Sequence, residues 1–332
     1  MVDKATASGG SKFLKSLSDA PWLITFGGVM VEWTIVTVIS GRGVLGTMQT
    51  TLTYAAFLLM VGFGQMIVIC LGNGNIDLSI PYVMSFSAAV SVGVMGAGST
   101  GEIVLGLVMS VVVGICVGLV NAGSILVLRV PPIVATLAVG FIAESGTLVR
   151  SNTLTVGVPG GLASAVSVNF LGIGVLTWGC LGLSLVLGLI VHRTVFGRSL
   201  AAIGQSRAAA WFSGVHEGRV IVRAYVISGV LASLSGVLLA AYGGLTVDLG
   251  TPYLLTSVAA VILGGSLIQG GRSTIVGVWA GALFLGLAIS LLEVANAGIP
   301  GQYIGEGVVI FAVLALSRAD QVWGKRRFRS HV

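Results

Sequence analysis

From residue 21 to residue 317 the chain is a succession of apolar stretches, and nearly all of its cations lie in alternate connections between them. A helix needs about 20 apolar residues to cross hydrocarbon. Such stretches fall near 21–40, 51–71, 81–97, 102–123, 131–149, 174–192, 220–243, 254–268, 275–293 and 303–317. The spacing predicts an all-α polytopic membrane protein of about ten transmembrane helices. A water-soluble fold is excluded by composition, because only 8% of the residues are charged, 55% are hydrophobic and mean hydropathy is +1.05. The 50 glycines lack collagen periodicity and sit among Val, Leu and Ala, where small residues let helices approach closely.

With the N-terminus inside, 15 of the 17 Lys and Arg fall on one side of the membrane and only Arg42 and Arg150 on the other. The positive-inside rule then predicts an even number of spans with both termini cytosolic. Residues 1–20 carry Lys4, Lys12 and Lys15 but no apolar core ahead of a cleavage site, and read as a cytosolic tail or surface helix. Residues 21–317 form the transmembrane domain, and 318–332 a basic cytosolic tail whose K-R-R-F-R is a topology determinant near anionic lipid rather than a nucleic-acid site. The short eighth stretch reads as a broken helix or a full crossing.

Two connections are too long and polar to be simple hairpins. The outer one, 151–173, is uncharged and rich in Gly, Ser and Asn, which suits either a docking or gating turn or an ordinary solvated connection. The inner one, 193–219, reads as two short helical pieces separated around Gly204, with Gly197 and Gly214 at the flanks. Trp211 and Phe212 there would present an aromatic knob to a cytosolic partner, or the segment would lie as an amphipathic helix on lipid headgroups. Cys70, Cys116 and Cys180 all fall in apolar spans and read as small buried hydrophobes, not a disulfide framework.

The string F-G-R-S-L-A-A-I-G-Q-S-R-A-A-A-W-F-S-G-V from Phe196 resembles the cytosolic coupling loop of the permease subunits of ribose/xylose-type bacterial ABC sugar importers. N-I-D-L-S from Asn75, P-P-I-V-A-T-L-A from Pro131 and L-G-G-S-L-I-Q-G-G-R from Leu263 resemble three further motifs of that family, in the same order. The resemblance implies a type II importer-like fold in the bacterial cytoplasmic (inner) membrane. It further implies a second permease, identical or paralogous, two cytosolic ABC ATPase domains, and an extracytoplasmic solute-binding protein. ATP and magnesium would belong to the ATPases, with no cofactor in this chain. On that resemblance Phe196, Gly197, Arg198, Ala202, Gly204, Arg207, Ala209 and Gly214 would couple to the ATPase. The segment 151–173 and the stretch 245–253, with Asp248, would receive the binding protein. A pentose, hexose, polyol or furanose signal molecule would all fit the solute role.

Departures from the family sit at the second motif, where Asn75 and Ile80-Pro81 replace Gly and Val-Gly, and Asn73 adds an amide. Broken backbone at membrane depth is tolerated only where it is buried in protein or lines a wet cavity. Asn73, Asn75, Asp77, Ser79 and Asn121 are therefore candidates for the substrate pathway or its gate. The structural alternative makes Asp77 a cap for the free amides of the third span, and Asn121 a cap or an interhelical glue. Glu32 and Glu293 are further membrane carboxylates, and Glu144 reads as snorkelling or pairing with Arg150. His192, His216 and His331 lack metal-ligand spacing, and no P-loop string exists, so the chain itself is not an enzyme that hydrolyses ATP. The rival from another class is a proton-coupled secondary transporter using Asp77 or Glu144, and a membrane scaffold is a further one.

Overall fold

The computed structural model describes residues 22–295 apart from 42 and 155, together with positions 301, 304, 305, 307, 308 and 311. The expected tails 1–20 and 318–332, Arg42, Asn296 and most of the tenth stretch lie outside the described residues, as does the Glu293 side chain.

The described chain is almost entirely helical: α1 (Trp22–Ser40), α2 (Gly43–Cys70), α3 (Ile80–Met95), α4 (Thr100–Leu126), α5 (Pro132–Ser151), α6 (Gly160–Val166), α7 (Val175–Arg193), α8 (Val195–Gln205), α9 (Arg207–Phe212), α10 (Glu217–Gly243), α11 (Tyr253–Leu263) and α12 (Ile275–Val294). A two-residue hairpin, β1 (Asn169–Phe170) and β2 (Ile173–Gly174), precedes α7. Among the described residues, seven helices are long and apolar enough to span a membrane: α1, α2, α4, α5, α7, α10 and α12. Local chemistry sets several starts. Ser99 and Glu102 form a capping box ahead of α4, and Pro81 and Pro132 occupy first turns, where a missing N–H costs nothing.

Helices α2 and α10 form the centre. Helix α10 lies against α2, α3 and α4, while α12 packs on α1, α2 and α11, and α5 on α3. Most of α2 is buried, 83% of its most apolar window against 17% for α1. Glycine sets the closest approach: a Cβ at Gly118 of α4 would stand 2.6 Å from the Tyr225 carbonyl oxygen of α10. Dispersion and backbone contact drive such packing in lipid, which removes the hydrophobic incentive between helices.

Helices α3 and α11 are shorter, and each follows a non-helical stretch, 71–79 and 244–252. Of the two forms open to the eighth stretch, a broken helix or a full crossing, the short α11 after a non-helical stretch matches the first, and the third stretch shares that form. The second non-helical stretch, 244–252, is exposed at Gly244, Thr246 and Asp248. It turns back along the bundle until Gly250 is buried against the Pro81 backbone, with its N–H donating to Ser85 Oγ at 3.1 Å. The starts of the two short helices thus meet inside the bundle.

Candidate functional site

The stretch 71–79 leaves α2 through Leu71 and Gly72 and reaches α3 without helical hydrogen bonds of its own, so its polar groups need partners. They find them in side chains of three helices. Asp77 Oδ1 accepts from Ser79 N–H at 3.0 Å and from Ser79 Oγ at 2.5 Å, and Oδ2 accepts from Ser228 Oγ of α10 at 2.6 Å. Ser79 Oγ in turn accepts from Asn121 Nδ2 of α4 at 2.8 Å. Asn75 Nδ2 donates to the Gly72 carbonyl at 2.8 Å, and its Oδ1 accepts from Tyr225 Oη at 3.0 Å. Thr136 of α5 receives the Leu78 N–H at 3.1 Å. Gly64 permits this arrangement, because a Cβ there would lie 3.0 Å from Ser228 Cα and push α10 away.

Three of the five candidate pathway residues, Asp77, Ser79 and Asn121, are thereby joined in one network, Asn75 is bonded separately to Tyr225, and all four are 1–2% exposed. Asn73 is not part of it; it is exposed in a left-handed turn at φ +51°. Asp77 bonds a free amide immediately ahead of α3, as a cap would, and also ties α3 to α10. Asn121 serves as interhelical glue rather than a helix cap. Its Oδ1 is buried without a hydrogen-bond partner.

The inner connection folds into α8 and α9. The break falls at Ser206, extended at φ −162°, and not at Gly204, which is the penultimate residue of α8. The reason is capping: Ser206 Oγ accepts from Ala209 N–H at 3.3 Å and starts α9, as Thr194 starts α8 through Gly197 N–H at 3.4 Å. Gly204 serves close approach instead. A Cβ there would overlap the Cys70 carbonyl and the Gly271 N–H, which hydrogen-bond each other at 2.9 Å. Gly72, at φ +69°, faces the Gln269 carbonyl with no room for a side chain. The elbow, the end of α2 and the loop after α11 thus join backbone to backbone. Gly197 is packed against the Val191 carbonyl, Phe196 is buried, and Ala202 is partly so. Arg198 and Ala209 are exposed, Gly214 turns the chain at φ +77°, and Arg207 pairs with Glu217 at 3.0 Å. Trp211 and Phe212 stack edge to face at 5.1 Å and are 70% and 81% exposed, forming the expected knob.

The opposite end of the bundle is open. A cavity of about 640 Å³ lies between 151–158, α6, the ends of α3, α5 and α10, and residues 244–247. The segment 151–173 is therefore folded, as α6 and the hairpin, and Gln49 Nε2 holds the hairpin through the Gly172 carbonyl at 2.8 Å. Two expectations need correction. Glu144 does not pair with Arg150, whose guanidinium instead donates to Thr153 Oγ1 at 3.1 Å and lies over Gly93. Cys70 and Cys180 are buried, but Cys116 is exposed on the outer face of α4, where lipid rather than protein would cover its thiol. Among the described residues no group of His, Cys, Asp or Glu could hold a metal.

Sequence reasoning missed an internal repeat that was available in the letters. Asp77-Leu78-Ser79-Ile80-Pro81-Tyr82 recurs 171 positions later as Asp248-Leu249-Gly250-Thr251-Pro252-Tyr253. The same offset pairs Ala88-Ala89-Val90 with Ala259-Ala260-Val261, Gly93 with Gly264, and Tyr54 with Tyr225. Both copies consist of a long helix, a non-helical stretch and a short helix. The repeat pairs Asp77 with Asp248, which the sequence had placed in the stretch 245–253.

Comparison with known proteins agrees with this architecture. Residues 47–317 match the profile of the family described as "Branched-chain amino acid transport system / permease component". The Bacillus subtilis "Ribose import permease protein RbsC" is 32% identical over 263 residues, covering 78% of this chain and 80% of that protein. The Salmonella typhimurium "Autoinducer 2 import system permease protein LsrD" is 29% identical over 275 residues, 78% and 82% of the two chains. The Escherichia coli "L-arabinose transport system permease protein AraH" is 28% identical over 290 residues, 81% and 85%.

Proposed function

This chain belongs to the family of branched-chain amino acid transport system permease components, and from that premise we propose that it is the membrane-spanning subunit of an ATP-driven importer of a small sugar or sugar-like solute. It is a multi-pass protein of the bacterial inner membrane and a transport subunit, not an enzyme. The importer would pair it with a second permease, identical or paralogous, and with two cytosolic ATPase domains that hold ATP and magnesium. A solute-binding protein would deliver the solute from outside.

The elbow formed by α8 and α9 carries this reading. Its exposed Trp211 and Phe212 offer an aromatic anchor of the kind that dominates interfaces, while Gly197 and Gly204 fasten its other face to the bundle. Motion imposed on the knob would pass through the backbone junction at Cys70, Gly204 and Gly271 into α2 and the loop before α12. The positive-inside rule supports assigning the elbow to the cytosol, since Arg129, Arg193, Arg198, Arg207, Arg219 and Arg272 lie in connections on that side. In this reading the domain comprises ten spans over 21–317, with 1–20 and 318–332 in the cytosol and 193–219 as the coupling loop. The buried Asn75, Asp77, Ser79 and Asn121 would belong to the substrate pathway or its gate, with Asn73 at its exposed margin.

The printed substrates of relatives, ribose and arabinose, support a sugar rather than an amino acid, and autoinducer 2 supports a sugar-like solute. Native mass spectrometry of the protein purified in mild detergent tests the assembly. Two ATPase copies should accompany the wild type, and both Gly204→Arg and the surface variant Phe212→Asp should lose them. Recovery of the chain alone from wild type would refute the importer.

A further inference from the structure

The hairpin that leads into α7 is apolar where it is exposed. Between Arg150 and Arg193 the chain holds no Lys, Arg, Asp or Glu, and within 168–174 Asn169 is the only polar side chain. Phe170 is 61% and Leu171 78% exposed, and Val168 is half exposed. Leu171 and Gly172 make the two-residue turn between β1 and β2 at φ +53° and +76°, a left-handed pair that ordinarily takes Asn and Gly. Leucine is disfavoured in that conformation, so the tip presents an apolar side chain against the preference of its own backbone. Contiguous exposed apolar side chains without a charge among them mark an interaction surface.

The hairpin is fastened to the first turn of α7. Val175 N–H donates to the Val168 carbonyl at 2.9 Å and Trp178 Nε1 to the Phe170 carbonyl at 3.2 Å, and the Phe170 and Trp178 rings stand edge to face at 6.2 Å. Trp178 heads a stripe, with Leu181, Leu185 and Leu189, that α7 leaves exposed along one side, whereas Thr177, Cys180, Leu187 and Val191 on the other side are buried. An exposed apolar stripe on a membrane span meets acyl chains, and the Phe170 ring sits at its outer end. Helix α7 has 19 residues, so at 1.5 Å each it is about 28 Å long, close to the ~30 Å of the hydrocarbon layer. With Arg193 closing its inner end, Val175 stands at the outer boundary and the hairpin in the headgroup layer. That layer is where rings with an apolar body and a polar edge collect. A soluble partner that docks and leaves would return Val168, Phe170 and Leu171 to water at every release; the bilayer covers them throughout.

We propose that residues 168–174 are an interfacial anchor, held in the outer leaflet by Phe170, Leu171 and Trp178, and are not part of the surface that receives a solute-binding protein. The anchor rests on membrane residence, not on the importer reading, and holds whatever energy source drives transport. It fixes the outer end of the span whose inner end runs through Thr194 into the elbow. For the test, the full-length protein in a Cys116→Ser background is reconstituted in nanodiscs of phosphatidylethanolamine and phosphatidylglycerol. An environment-sensitive NBD fluorophore is attached at Leu171→Cys, or at Val168→Cys should the first variant not fold, and at Asn152→Cys as an exposed polar reference on the same outer connection. Phosphatidylcholine carrying a nitroxide near the headgroup should quench the hairpin label at least twofold more than the reference, and iodide in the water at least twofold less. Adding the solute-binding protein should leave the hairpin values unchanged. A hairpin label that iodide reaches as readily as the reference overturns the anchor. Shielding from iodide that appears only with the binding protein makes the hairpin a docking surface instead, and shielding from both quenchers makes it a contact with a second permease. Quenching in the bare nanodiscs decides the anchor even where no importer assembles, so its failure and that of the importer reading are distinct.

Discussion

Residues 72–82 and 243–253 carry the same Asp-Leu-x-x-Pro-Tyr pattern and end in opposite circumstances. The first stretch is sealed: Asn75, Asp77 and Ser79 are each bonded to side chains of α4 or α10 or to each other, and Gly72 is pressed against the loop at Gln269. The second borders a cavity, leaves Asp248 exposed, and has space around Gly243 and Gly244, where a Cβ would meet nothing within 4 Å. Each break is a turn leading to Pro and a short helix, and Ser228 of α10 binds the acid of the first. Phe57, where the counterpart of Ser228 would stand, packs instead on Tyr242 at 5.7 Å.

Substitutions at paired positions sharpen this contrast. The largest effect is expected for Asp77→Ala, which strands the Ser79 N–H and the hydroxyls of Ser79 and Ser228 without their acceptor and should cost roughly 3 kcal/mol. A fall of several degrees in the thermal midpoint of the detergent-solubilised protein would register it, whereas Asp248→Ala should leave the midpoint within a degree. Equal effects at both aspartates would break the comparison. Next comes Gly72→Ala, which adds a contact with the Gln269 carbonyl to the strain of a left-handed backbone, at least about 1–2 kcal/mol. Its repeat partner Gly243 is helical with open space, so Gly243→Ala should be neutral or slightly stabilising. Smaller still, Tyr225→Phe deletes the bond to Asn75 Oδ1 and should cost about 1 kcal/mol in the same thermal assay.

Much of the fold was legible because lipid imposes length and polarity rules that read directly from the letters. The long spans at α1, α2, α4, α5, α7, α10 and α12 fall where apolar runs predicted them. Breaks were harder. The run 81–97 looks like an ordinary crossing, yet α3 follows a non-helical stretch, because apolar residues serve a half-helix and a full span alike. Gly204 looked like the hinge of the elbow, but a glycine within a helix can mark close approach instead of a bend, and only Ser206 as a cap distinguishes the two. In the candidate site, the polar residues of N-I-D-L-S were recognisable as out of place in lipid. Their partners Ser228, Tyr225 and Thr136 were not, since a serine, tyrosine or threonine inside an apolar helix has no distinguishing neighbour in sequence. Asp248 was read from the sequence as part of the stretch 245–253, but its kinship with Asp77 was visible only through the repeat.

The most direct test of the whole account is the energy source of transport. Liposomes holding this chain with its ATPase and binding protein would be loaded with ATP on the ATPase side, in one set with no pH gradient and in another with a gradient but no ATP. Accumulation of labelled sugar that requires ATP and is indifferent to the gradient is the predicted result. Accumulation that follows the proton gradient without ATP would contradict it and make the chain a secondary transporter.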